Sequence, residues 1–203
     1  MKQVYTLILI VTLFITACSE SPSLKPLPDN AVILTFGDSL TYGTGVNSAT
    51  QSYPAKLAEL TGLIVINKGI PGETSEQGLT RLPAVLDEIQ PDLVILCHGG
   101  NDLIRKLGKE QLKNNLDKMI TVIKKSGAQV ILIGVPNFSL MLNVPELYPD
   151  LAQQYVIPAQ LTILPKIERD PALKSDPIHP NEQGYALMAD EIYQILKVSK
   201  ALE

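Results

Sequence analysis

The stretch Ala31-Val32-Ile33-Leu34-Thr35-Phe36-Gly37-Asp38-Ser39-Leu40 decides how this chain folds. A nearly continuous apolar, β-branched run stops abruptly at Gly-Asp-Ser, and a glycine-rich segment with Gly43 and Gly45 follows. Such a run, bounded by turn residues, reads as a strand buried on both faces. The carboxyl end of a buried strand is where an open α/β sheet places its ligand. Ser39, just past that end, is therefore a candidate nucleophile, although serine in that position also reads as a helix cap. The choice depends on whether the rest of the chain supplies a base, an orienting acid and donors for an oxyanion.

Working outward, Ser52-Tyr53-Pro54 starts a helix that Gly62 ends. Leu63 to Ile66 reads as a second buried strand, leading into Asn67-Lys68-Gly69-Ile70-Pro71-Gly72-Glu73-Thr74. Thr74 and Gln77 have capping-box spacing for a helix whose inner face carries Leu79, Leu82, Leu86 and Ile89, with Pro83 expected to kink or delay it. Asp92 to Cys97 is a third strand and delivers His98-Gly99-Gly100-Asn101-Asp102. An amphipathic helix through Leu112, Leu116, Met119, Ile120 and Ile123 ends at Gly127, and Gln129 to Val135 is a fourth strand. A leucine-rich connection, a helix near Leu151 to Gln154 and a weaker fifth strand at Leu161 to Leu164 precede Asp176-Pro177-Ile178-His179-Pro180-Asn181. The last helix carries Tyr185, Met188, Ala189, Ile192 and Ile195 on its inner face. Strands alternating with helices at this spacing predict a three-layer α/β/α fold with a five-stranded parallel sheet in the flavodoxin-like order 2-1-3-4-5.

On that topology every unusual polar cluster falls on one edge. Ser39 follows strand 1, Gly72 strand 2, Asn101 strand 3, and Asp176 with His179 strand 5. Scattered caps would fall on both edges. A serine hydroxyl needs an adjacent base, and of the two histidines His179 is placed to be one. Asp176, three residues earlier, could fix its tautomer, and is equally at home as a turn residue. Asn101 reads either as a cap or as an amide donor to an oxyanion, with the Ser39 and Gly72 backbone N–H groups as the other donors.

Gly37-Asp38-Ser39-Leu40, Gly72 in its loop, Gly100-Asn101-Asp102 and Asp176-Pro-Ile-His179-Pro together resemble the four blocks of the GDSL/SGNH hydrolases. The likeness runs in order from about residue 31 to 197 and is nearest to the bacterial periplasmic thioesterase, lysophospholipase and arylesterase branch. It implies a serine hydrolase that forms an acyl-Ser39 intermediate, with catalytic Ser39, Asp176 and His179 and an oxyanion hole of Ser39, Gly72 and Asn101. No cofactor is expected, and two histidines with one cysteine outside the lipobox argue against a metal site. His98 departs from that branch, which more often has an apolar residue there; a structural histidine beside the site is expected.

The apolar connection Asn137 to Asn143 suits an acyl groove built by Phe138, Leu140 and Met141, or simply packs the loop onto the domain. Lysophospholipids, acyl thioesters and aryl esters are the expected substrates. A carbohydrate O-deacetylase of the cell envelope and a lipid-anchored binding module without turnover are the alternatives. Thr41 in place of glycine excludes the Gly-x-Ser-x-Gly elbow, and Gly43-Thr44-Gly45 lacks the features of a phosphate-binding loop.

Composition is that of a globular domain. The 203 residues carry a net charge of −4, without the basic stripe that nucleic acid requires, and there is no Trp. Met1-Lys2 and the apolar run Thr6 to Ala17 read as a signal peptide over residues 1–17, too short for the roughly 20 residues of a membrane-spanning helix. Ile15-Thr16-Ala17-Cys18 resembles a lipobox, which makes Cys18 the expected lipidated first residue and a membrane its partner. Ser19 resembles the signal for outer-membrane sorting. Residues 18–30 then form the lipidated cysteine and a polar, proline-containing tether, and residues 31–203 the hydrolase domain. Cys97, in an apolar run, reads as a core residue.

Overall fold

A computed structural model describes residues 22–137 and 142–202. Five parallel strands lie in the order β2-β1-β3-β4-β5, as the sequence predicts. They are β1 (Val32–Gly37), β2 (Ile64–Gly69), β3 (Leu93–Cys97), β4 (Gln129–Ile133) and β5 (Ala159–Gln160). The helices are α1 (Ser39–Tyr42), α2 (Tyr53–Thr61), α3 (Ser75–Ile89), α4 (Gly100–Ile104), α5 (Lys109–Lys125), α6 (Leu147–Tyr155), α7 (Ile163–Arg169) and α8 (Glu182–Val198). The crossover from β1 to β2 runs toward one edge and that from β2 to β3 toward the other. Right-handed connections therefore put α2 and α3 on opposite faces. Helix α8 packs on α2 and α5 on α3, which completes the three layers.

The central strands are apolar because both of their faces are covered. Ile33, Leu34, Phe36, Leu93 to Cys97 and Ile131 to Ile133 are all fully buried, Cys97 among them as a core residue. Strand β2 differs from the expected buried strand. It is an edge strand, only half covered, it runs on through Asn67 and Lys68 to Gly69, and its Ile64 is 55% exposed.

Two further expectations are corrected. The fifth strand is Ala159–Gln160, not Leu161 to Leu164. The Gln160 side-chain carbonyl accepts from the Thr162 and Ile163 N–H groups, which turns the chain out of the sheet. Ile163 and Leu164 then bury as the first turn of α7, where Pro165 is tolerated because first-turn N–H groups have no intrahelical partner. Pro83 does not delay helix α3, which starts at Ser75 and runs through it. Pro83 lies on the exposed side, where water can take the Leu79 carbonyl left without its donor.

The segment expected as a tether lies, from residue 22 onward, along the domain. The Leu24 and Leu27 N–H groups donate to the Ser199 and Ala201 carbonyls just past α8, and Lys25 exchanges hydrogen bonds with the Gln129 side chain at the start of β4. This strap occupies the amino edge of the sheet.

The carboxyl edge is level. Gly37 is in register with Gly69 on one side and Cys97 on the other, and Cys97 with Ile133. The loops after β1, β2 and β3 therefore leave side by side. At the next turn Thr74 caps α3 with the full capping box to Gln77. Thr74→Ala removes that box, and urea and thermal unfolding should show a loss of about 1 kcal/mol and roughly 2–4 °C for a domain of this size.

Candidate functional site

Ser39 is not a cap. The side chain that caps α1 is Asp38, whose Oδ1 accepts from the Leu40 N–H at 3.1 Å. Ser39 is the first helical residue, so its hydroxyl is free to face His179. Ser39 Oγ lies 2.9 Å from His179 Nε2, and His179 Nδ1 lies 2.7 Å from Asp176 Oδ2. The ionised carboxylate can only accept, so Nδ1 carries its proton, and Nε2 is left to accept from the serine hydroxyl. A hydroxyl donating to an imidazole that is itself oriented by a carboxylate is the arrangement that makes serine nucleophilic.

Both readings of Asp176 hold. Its Oδ1 accepts from the Ile178 and His179 N–H groups, each at 2.8 Å, and so shapes the turn while Oδ2 holds the imidazole. Burial works to raise its pKa, but these hydrogen bonds and the His179 charge outweigh it, so the carboxyl lies below the ordinary value.

Asn101 is not a cap either, for the N-cap of α4 is Gly99. Its side-chain amide donates to the Glu73 carbonyl at 3.0 Å and lies 3.5 Å from Asp38 Oδ2. Gly72 sits at φ +79°, in the left-handed region where glycine alone is unstrained, and its carbonyl accepts from Arg105. Among the described residues the Ser39 and Gly72 N–H groups donate to no other acceptor. Ser39, Gly72, Asn101 and His179 line one cleft of about 250 Å³. Its walls also include Pro71, Ile104 and Ile178, which the sequence reading did not single out although each is close in sequence to a motif residue. The expected acyl-groove residues Phe138, Leu140 and Met141 lie outside the described residues, as does Cys18.

Behind the cleft is a charge cluster around His98, the histidine expected beside the site, whose partners Glu73 and Arg81 sequence reasoning did not single out. Arg81 grips Glu73 with two hydrogen bonds, Nε to Oε1 at 2.6 Å and Nη2 to Oε2 at 2.7 Å. His98, fully buried, places Nε2 3.1 Å from Glu73 Oε2 while its Nδ1 accepts from the Gly99 N–H. An acceptor at Nδ1 makes Nε2 the protonated nitrogen, so His98 is a neutral donor to Glu73. Burial works to raise the Glu73 pKa, but the hydrogen bonds from His98 and Arg81 and the Arg81 charge outweigh it and hold the carboxyl below its ordinary range. Asp38, fully buried, goes the other way: desolvation raises its pKa despite the hydrogen bonds and histidines around it. No sequence pattern pairs Arg81 with Glu73, because the contact depends on where α3 lands beside its own preceding loop.

The GDSL-like lipase/acylhydrolase family model matches residues 35–187. Thioesterase 1/protease 1/lysophospholipase L1 of Escherichia coli K12 is 32% identical over 166 residues, covering 78% of this chain and 79% of that protein. An arylesterase of Vibrio mimicus is 31% identical over 175 residues, with 81% and 87% covered. Among solved structures, that of TesA aligns with a TM-score of 0.75 at 28% identity over 83% of this chain and 99% of that one. Its motif order, its sheet and its relatives agree, and the chain belongs to the GDSL-like lipase/acylhydrolase family of hydrolases.

Proposed function

We propose that the protein hydrolyses carboxylic esters or thioesters through an acyl-Ser39 intermediate. The observation that carries this reading is the unbroken Ser39–His179–Asp176 hydrogen-bonded chain opening on a cleft. Ser39 Oγ attacks the carbonyl carbon as its proton passes to His179 Nε2, and the oxyanion rests among the Ser39 N–H, the Gly72 N–H and the Asn101 amide. The carbon–oxygen or carbon–sulfur bond then breaks, and His179 returns the proton to the departing alcohol or thiol. Water, deprotonated by His179, attacks the acyl-serine; the bond from Ser39 Oγ to the acyl carbon breaks, and His179 returns the proton to Ser39 Oγ as the acid leaves. Asp176 keeps His179 in the tautomer that both halves need.

The walls favour an apolar acyl or aryl group. Pro71, Ile104 and Ile178 line the cleft, and Ile104 is 44% exposed. The names of the relatives, among them thioesterase, lysophospholipase and arylesterase, are consistent with that class.

We further propose that the chain is exported and lipidated on Cys18, a reading supported by the charged n-region, the apolar run and the Ile-Thr-Ala-Cys sequence. No helix among the described residues is long and apolar enough to cross a membrane. The full chain expressed in a Gram-negative host should take up labelled palmitate and partition with detergent, and Cys18→Ser should lose both. Retention of the label by that variant rules the anchor out.

Ser39→Ala should lose hydrolysis of p-nitrophenyl esters and labelling by a fluorophosphonate probe while keeping its circular dichroism spectrum. Wild-type turnover in that variant overturns the mechanism. Asn101→Ala should keep a residual rate, with kcat down by about 10²–10³, the cost of one oxyanion donor in a serine protease.

A further inference from the structure

We propose that the buried Glu73 carboxylate is a positioning hub that sets the spacing of the three oxyanion donors, through Arg81 and His98, and so governs turnover rather than substrate binding. The inference rests on the oxyanion assignment made above.

Each donor follows a different strand, and Glu73 touches or reaches the backbone beside each of them. It follows Gly72 directly, so its carboxylate fixes the loop after β2 from behind. Its main-chain carbonyl accepts from the Asn101 amide at 3.0 Å. Through Arg81 it reaches the loop after β1, because Nη2 also donates to the carbonyls of Lys68 at 2.8 Å and Gly37 at 3.4 Å, and Gly37 lies two residues before Ser39. Through His98 it reaches the segment after β3, because Asn101 follows His98 by three residues.

The cluster is also held rigidly. The Arg81 guanidinium lies 3.9 Å over the Phe36 ring, on β1. Helix α3 comes so close to His98 that a methyl group at Gly78 would collide with the imidazole, so glycine is what admits the histidine. Three buried or half-buried polar side chains are an expensive way to gain stability, since apolar residues of similar volume often do as well. They are a good way to hold fixed distances, because charge-assisted, two-pronged hydrogen bonds define direction as well as contact. Oxyanion stabilisation depends on such distances: displacement of about 1 Å can cost on the order of 10² in rate.

The test uses the full chain with and without His98→Leu, Glu73→Gln and the two combined. Each single variant should lower kcat on a p-nitrophenyl ester by about ten-fold, less than loss of a whole donor, with KM within about two-fold and with slowed fluorophosphonate labelling of Ser39. Because both changes break one unit, the double variant should be no slower than the slower single one. Unfolding curves correct every rate for the folded fraction, and Glu73→Gln, which keeps the side chain's size, serves if His98→Leu does not fold. Folded variants with wild-type kcat, losses confined to KM, or multiplying losses in the double variant overturn the hub. A wild-type chain that neither hydrolyses nor labels would instead overturn the acyl-serine reading beneath it.

Discussion

The parallel pairing of β1 with β2 and β3 is the constraint on which everything else depends. Because Gly37, Gly69 and Cys97 share one level, three loops distant in sequence leave the sheet within reach of one another. A slip of one residue in either pairing would send each side chain to the opposite face of the sheet and carry Gly72 or Asn101 away from Ser39. The apolar side chains that make β1 and β3 central are thus also what holds the reacting groups together. Stability and chemistry share the same residues here, and the opening run of β1 contributes to both.

Much of this was legible because its signals are local. Thr74 with Gln77, Ser52 before Tyr53-Pro54, and the apolar blocks of β1, β3 and β4 are each written within a few residues, and each element forms where that pattern lies. The convergence of Ser39, Asn101, Asp176 and His179 was legible at one remove, since motif order plus topology puts them on one edge. What escaped was decided by competition between distant or near-equal forces. Leu161 to Leu164 is apolar enough for a strand, but the Gln160 side chain satisfies the backbone of a turn instead. Pro83 is expected to kink or delay its helix, but α3 starts at Ser75, and the packing of Leu82, Val85 and Leu86 outweighs one missing hydrogen bond. Leu63 to Ile66 looked buried because apolar content does not tell an edge strand from a central one.

The carboxylates near the site show how burial alone fails to predict charge. Asp38 and Glu73 are both nearly inaccessible, yet they shift in opposite directions. Asp38 has backbone donors and histidines at a distance, which do not compensate for lost water. Glu73 has a guanidinium in direct two-point contact, and it does. Asp176, more exposed than either, needs only turn amides and one imidazole to stay ionised.

The strap formed by residues 22 to 30 has a consequence for how the domain can be held. It joins the body beside Ser199, Ala201 and Gln129, at the edge where the strands begin, while Ser39 and His179 stand where they end. A six-residue strand separates those edges by about 20 Å. Anything attached just upstream of residue 22 grips the domain from behind, within about 3.5 Å of reach per intervening residue. Pulled against a surface by that end, the domain would rest on its back with its mouth turned outward. Substrate would then arrive from the open side, and molecules embedded in the holding surface would face the wrong edge of the sheet.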